Sequence, residues 1–258
     1  MPEPASCADR DQVCAWHAHV DHALGDPATV AHARQSLTDA EQTRFERYHG
    51  DSDRRMFLLG RVMSRDLVGR ALNVGAGGWE WREGARGRPE IAHPQTAVRF
   101  NLAHSAGLVV CAVASGRDVG VDVEDLRRPA TDPRMINRYC APAEAADIEA
   151  QGDRWRDRFL IYWTLKEAYL KARGLGISVP LREISFVLEP EPVRVTFLGS
   201  LAGTSVAWTF HLSRPTDRHL VAIAVSAEDG VEPRVLINSY RVPGAEVPQL
   251  TKGTKKDL

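Results

Sequence analysis

Two segments hold most of the residues whose types and spacing could do chemistry. Gly120-Val121-Asp122-Val123-Glu124 places two carboxylates two residues apart. On a strand, residues i and i+2 share a face, so Asp122 and Glu124 would stand side by side with Val121 and Val123 turned to a core. Adjacent carboxylates repel unless a cation or protons lie between them. Oxygen ligands of this kind suit Mg²⁺, which takes one or two carboxylates together with waters and phosphate oxygens. Alone, the segment also reads as an edge strand with a solvated acidic face. The second segment is Trp163-Thr164-Leu165-Lys166-Glu167-Ala168-Tyr169-Leu170-Lys171. On a helix, Glu167 and Lys171 are i, i+4 neighbours, with Trp163 one turn earlier on that face. Alone, this too reads as an ordinary surface ion pair. Together, three carboxylates and a lysine suit metal-assisted phosphoryl-type transfer, the metal bridging phosphate oxygens and the lysine neutralising charge on the leaving side.

A third segment, Phe100-Asn101-Leu102-Ala103-His104-Ser105, leads into an apolar run. His104 and Ser105 make a poor nucleophilic pair, since adjacent side chains on an extended chain point apart and no GxSxG elbow surrounds Ser105. Contacts from His104 and Ser105 to phosphate are the better reading, beside that of His104 as a capping or core residue. Arg54, Arg55, Arg61 and Arg65 lie on or beside a long helical pattern, and Arg88 sits in Gly87-Arg88-Pro89. Arginine binds phosphate bidentately, though a solvated helix face accounts equally for any one of the four. Of the 33 basic residues only five are lysine, three of them among the last eight residues, so Lys166 and Lys171 are isolated survivors in an arginine-rich chain. His17, His19 and His22 lack a carboxylate or cysteine pattern to complete a metal site and read as a half-exposed strand.

The elements that must position these residues follow from periodicity. Thr38 with Glu41 three residues on has the spacing of a capping box and opens a helix over 38–48. Apolar residues at 56, 59, 63, 67 and 71 predict a helix over 53–72. Further helices are predicted over 142–150 and 154–173. Strands are predicted over 13–20, 108–114, 119–123, 183–189, 193–198, 205–212 and 219–226, with 86–91 a turn into an edge strand. LVVCAVAS at 108–115 lines up with LVAIAVSA at 220–227, an offset of 112, and each run follows a long amphipathic helix. This points to a duplicated α+β unit with a ligand site at the seam, unless Val/Ala-rich strands merely look alike.

Composition sets the outer bounds. The chain has 258 residues, 43% hydrophobic, with 33 basic and 34 acidic side chains. That is ample for a packed core, and the near-zero net charge excludes a globally basic nucleic-acid binder. No apolar run reaches the ~18 residues of a membrane span. The opening MPEPASCADRDQ lacks a basic and an apolar region, so no secretory signal is expected. The four cysteines form no CxxC, so neither a zinc site nor a disulfide framework is expected, and a reduced, cytoplasmic protein is.

In order and spacing, GVDVE at 120–124, WTLKEAYLK at 163–171, NLAHS at 101–105 and GRP at 87–89 resemble the Sfp-type 4′-phosphopantetheinyl transferases over roughly residues 40–226. The resemblance implies an α+β fold of two similar subdomains related by a pseudo-twofold, with CoA in the cleft between them. The subdomains would be residues 1–118 and 119–228, the second carrying the metal site, followed by a tail, 229–258, that is extended or disordered. It implies a monomer that moves the 4′-phosphopantetheine arm of CoA to a serine of an apo acyl, peptidyl or aryl carrier domain, releasing adenosine 3′,5′-bisphosphate. The larger two-copy form suggests polyketide or nonribosomal peptide metabolism, by family analogy. By resemblance Asp122, Glu124 and Glu167 hold Mg²⁺ (or Mn²⁺) against the CoA pyrophosphate. Glu167 also helps deprotonate the serine, Lys171 stabilises the leaving phosphate, and Lys166 and Glu144 assist. His104 and Ser105 contact nucleotide phosphates, as do Arg54 or Arg55, Arg61 and Arg65. Arg88 replaces the lysine common in the family's GKP and reaches the adenosine side. The rival readings are a Mg²⁺-dependent nucleotide phosphotransferase or hydrolase, and a non-catalytic paralogue that binds CoA or a carrier domain.

Overall fold

The computed structural model describes residues 9–84, 87–128, 132–176, 179–227 and 231–244. Its chain runs twice through one plan: strand, long helix, small hairpin, then a larger hairpin whose second strand is central in a sheet. The first pass is β1 (Gln12–His19), helices α1 (Val20–Ala23), α2 (Pro27–Arg34), α3 (Asp39–Arg47) and α4 (Asp51–Ala71), the hairpin β2 (Glu80–Glu83)–β3 (Pro89–His93), then β4 (Val98–Ser105) and β5 (Leu108–Ser115). The second is β6 (Val119–Asp125), helices α5 (Arg134–Tyr139), α6 (Pro142–Glu149) and α7 (Trp155–Arg173), the hairpin β7 (Ile184–Val187)–β8 (Arg194–Phe197), then β9 (Ala207–Thr216) and β10 (His219–Ala227). A last strand, β11 (Arg234–Ser239), follows. The boundary expected at 118/119 falls between β5 and β6.

Local signals account for the helix ends. The Thr38 hydroxyl accepts from Glu41 N–H, while the Glu41 carboxylate accepts from Thr38 N–H at 3.0 Å, so α3 starts on a capping box. Gly174, at φ 62°, ends α7 in the left-handed conformation that glycine adopts without strain. The segment 100–105, read as leading into an apolar run, is itself part of β4.

The two larger sheets have orders β11-β1-β5-β4 and β6-β10-β9. They stack face to face through Val13, Ala15, Val110, Ala112, Ala114, Val119, Val121, Val123, Val221, Ile223 and Val225. On the outer face of the first sheet, Trp16, Val109, Cys111 and Val113 meet Leu59, Met63 and Leu67 of α4. On the outer face of the second, Ala222, Ala224 and Phe210 meet Phe159, Leu165 and Tyr169 of α7. The result is helix, sheet, sheet, helix. The middle strands β5 and β10 are buried on both faces, which is why they read as unbroken apolar runs.

Three expectations need correction. First, the repeat is not in register at an offset of 112. Two-residue turns close both large hairpins, pairing Ser105 with Leu108 and Thr216 with His219, so Leu108 corresponds to His219, an offset of 111. The offset of 112 would match Val109, Cys111 and Val113, which face α4, with Val221, Ile223 and Val225, which face the other sheet. A one-residue slip on a strand exchanges its faces. Second, the expected tail contributes β11, which pairs parallel with β1 from Gln12↔Arg234 to His17↔Ser239, and Tyr240 and Val242 are buried in the α4 core. Residues 245–258 lie outside the described residues. Third, Cys14 is disulfide-bonded, whereas Cys111 and Cys140 are free and buried. No helix among the described residues is long and apolar enough to cross a membrane.

Candidate active site

The site begins with an absent side chain. A Cβ at Gly120 would overlap the backbone oxygen of Ala168 and the backbone nitrogen of Ala172. Only glycine lets β6 lie directly against the backbone of α7. Two and four residues on, the same strand face presents Asp122 and Glu124 to that helix. Lys171, on α7, donates to Asp122 Oδ1 at 2.6 Å. Asp122 is buried, and its Oδ2 has no hydrogen-bond partner. Burial pushes the Asp122 carboxyl above its ordinary pKa, with Lys171 opposing. Glu124 receives the Arg128 guanidinium at 2.7 Å, with the Trp163 side chain as a second partner. Its pKa is also raised, first by burial. Glu167 lies on α7 four residues before Lys171, and its Oε1 is buried without a partner. Burial, then the charges of Asp122 and Glu124, push it up to about 7, against the pull of Lys171.

These groups fit a hard divalent cation. Two buried carboxylate oxygens, Asp122 Oδ2 and Glu167 Oε1, are unpartnered, and the charge of Asp122 raises the proton affinity of both Glu124 and Glu167. Among the described residues no three His, Cys, Asp or Glu side chains stand together at metal-holding geometry. Two carboxylates nevertheless suffice for Mg²⁺ when waters and substrate phosphates complete the shell.

Lys166 and Glu144, expected to be catalytic, do not belong to this cluster. Lys166 is 1% exposed, on the face of α7 turned away from β6. Its ammonium donates to the carbonyls of Tyr139, Leu181 and Ile184 and pairs with Glu144 at 2.7 Å. Glu144, fully buried, accepts from the backbone N–H groups of Ala141 and Phe186, both at 2.8 Å. The pair ties α6, α7 and β7 together, and neither member can reach a substrate.

From the first unit, His104 comes close enough to Lys171 to feel its charge. His104 lines a cavity of about 240 Å³ with Arg61, Arg44, Tyr48, Asp53 and Phe57. Partial burial and the charge of Lys171 lower the His104 pKa, with Asp53 opposing. Ser105, next along β4, lies on the opposite strand face from His104. Arg61 is stacked 4.4 Å over the Trp81 ring and lies 3.5 Å from Glu41. The other arginines hold structure. Arg65 pairs with buried Glu41 at 2.6 Å, Arg55 donates to Val20 and Leu24 carbonyls and to Asp21, and Arg54 donates to Tyr48 O. Arg88 crosses to the second unit and donates to Ala172 O, near the end of α7, at 2.6 Å. With Arg82 and Arg99 it lines a second cavity of about 180 Å³. Asn101 also joins the units, its Oδ1 accepting from Val121 N–H at 2.9 Å.

Sequence reasoning misses Arg128 as part of the site. The signal is there, a cation four residues after Glu124.

Residues 118–224 match the 4′-phosphopantetheinyl transferase superfamily, and residues 26–116 match the 4′-phosphopantetheinyl transferase N-terminal family. The chain is 32% identical over 220 residues to the 4′-phosphopantetheinyl transferase HetI of Nostoc sp., covering 84% of this chain and 88% of the relative. It is 32% identical over 249 residues to a phosphopantetheinyl transferase of Thraustochytrium sp., covering 90% and 85%. The Thermotoga maritima holo-[acyl-carrier-protein] synthase structure aligns with 45% of this chain and 64% of its own, at 23% identity and a TM-score of 0.37.

Proposed function

This chain belongs to the 4′-phosphopantetheinyl transferase family, and we propose that its activity resides where β6 meets α7. It is a transferase that moves the 4′-phosphopantetheine arm of CoA to a serine of an apo carrier protein and releases adenosine 3′,5′-bisphosphate. What supports the site is the close contact permitted by Gly120, which sets Asp122 against Lys171 beside the unpartnered oxygens of Asp122 and Glu167.

In this reading Asp122 and Glu167 would hold Mg²⁺, with Glu124 beside them. When bound, the cation offsets negative charge on the pyrophosphate oxygens. Glu167 takes the proton of the attacking serine hydroxyl. The serine oxygen bonds to the phosphorus that carries the pantetheine arm, and the bond from that phosphorus to the bridging oxygen breaks. Lys171 moves from Asp122 to the departing phosphate and neutralises the charge developing there. His104 and Arg61, across the cleft, contact nucleotide phosphates, and Arg88 orders the adenosine side. No covalent enzyme intermediate is needed, which agrees with the poor nucleophilic pairing of His104 and Ser105. We further assign the enzyme to the cytoplasm, as a monomer acting on acyl or peptidyl carrier domains of polyketide or nonribosomal peptide assembly.

The test is intact-mass measurement of an apo carrier domain incubated with CoA, Mg²⁺ and this protein, beside a sample with EDTA. The expected result is a gain of one phosphopantetheine that EDTA abolishes. CoA breakdown without carrier modification would indicate a hydrolase. Bound CoA with no gain across several unrelated carriers would indicate a binding paralogue.

A further inference from the structure

Three carboxylates face α7 or lie on it, and two of them already have a cation of their own. Asp122 has Lys171 at 2.6 Å, and Glu124 has Arg128 at 2.7 Å. The unpartnered oxygens belong to Asp122 and Glu167. A divalent cation entering between these carboxylates therefore meets two positive side chains. Lys171 has a second role at the substrate phosphates. Arg128 makes no contact among the described residues that would give it a comparable one. Its backbone N–H turns back to Asp125 O, and its guanidinium pairs with Glu124. The Arg128 side chain is 31% exposed against 12% for Glu124, so the carboxylate is fixed in the site while the guanidinium can turn outward to water.

Resting on the proposed cation site, we propose that Arg128 is a resident counter-cation of Glu124 that competes with the divalent cation. It neutralises and orients Glu124 while the site is empty of metal, and it lowers the affinity of the site for metal. Arg128 is thus a positioning residue, acting through Glu124. A merely structural role predicts that removing it disorders Glu124 and weakens metal binding; competition predicts the reverse.

The experiment is titration of the purified, CoA-free protein with Mn²⁺, following free Mn²⁺ by electron paramagnetic resonance, with thermal melts to verify folding. Four proteins are compared: wild type, Arg128→Gln, Arg128→Lys and Asp122→Asn. Binding by wild type and its loss in Asp122→Asn are expected. Arg128→Gln should bind Mn²⁺ about fivefold tighter, the effect of removing one partly screened ion pair. Arg128→Lys, which keeps the charge, should stay near wild type. Equal or weaker binding by a folded Arg128→Gln overturns the inference while leaving the cation site intact. If that variant does not fold, Arg128→Ala is read in the same way. If wild type binds no Mn²⁺, or Asp122→Asn binds as wild type does, the cation site itself fails and the inference falls with it.

Discussion

Lys166 and Glu167 are adjacent in sequence, yet one residue along a helix turns a side chain by about 100°. Glu167 is thereby turned to the carboxylates of β6, while Lys166 is buried among carbonyls of three other segments. The sequence shows both in one lysine-glutamate pair and cannot separate them, because Tyr139, Leu181, Ile184 and Glu144 come together only on folding. The two positions should fail differently. Glu167→Ala should lower turnover on the order of 10²–10⁴-fold in the carrier mass assay, the range for losing a general base, with an unchanged melting temperature or a higher one. Lys171→Ala should lower kcat more than it weakens CoA binding, because its charge matters most as the phosphate departs; an equal loss in both would assign it to ground-state binding. Lys166→Met should instead unfold the protein at lower urea, costing about 3–5 kcal/mol by leaving Glu144 charged, buried and unpaired. Combining it with Glu144→Gln should restore much of that stability. If Lys166→Met kept full stability and lost turnover, its place would be in the chemistry after all.

At the scale of elements, alternation and helical spacing were legible wherever one face is apolar. Positions 59, 63 and 67 of α4 are core residues as their spacing predicts, and Asp122 and Glu124 share the strand face opposite Val121 and Val123. The register of the repeat was not legible. Strands buried on both faces give no alternation by which to choose between offsets of 111 and 112. The correct register shows why the second unit alone holds the acidic site. The residues of β1 paired with the helix-facing side of β5 are Cys14, Trp16 and Ala18. Those of β6 paired with the helix-facing side of β10 are Gly120, Asp122 and Glu124. One strand fills its helix contact with apolar side chains, and the other empties it at Gly120 so that carboxylates can approach α7. Gly120→Ala should therefore force β6 and α7 apart. We expect a loss of about 3 kcal/mol, the upper end for overpacking a core, and impaired turnover in the protein that still folds. Wild-type stability by urea denaturation would show that the contact relaxes without cost.

At the scale of the molecule, the two-unit plan was legible from one weak repeat, but its closure was not. A short apolar run, Val235-Leu236-Ile237, set among prolines and glycines reads locally as a tail. Its partner β1 lies more than 200 residues earlier in the chain, beyond any local pattern. The consequence is physical: the first sheet is completed by chain that follows the second unit. Val13 and Cys14 are fully buried, and their strand has β5 on one side and β11 on the other. Removing residues 231–258 would leave that side of β1 as an open edge and would uncover the part of the α4 core now covered by Tyr240 and Val242. The truncated protein should melt at lower temperature. Hydrogen exchange should quicken first at β1 and along α4, while β6, β10 and α7 keep their protection until global unfolding. Equal protection of β1 in the two proteins would mean that β11 decorates the sheet rather than completing it. Uniform loss across both units would mean that the sheets fold as one cooperative body through the valine and isoleucine layer between them.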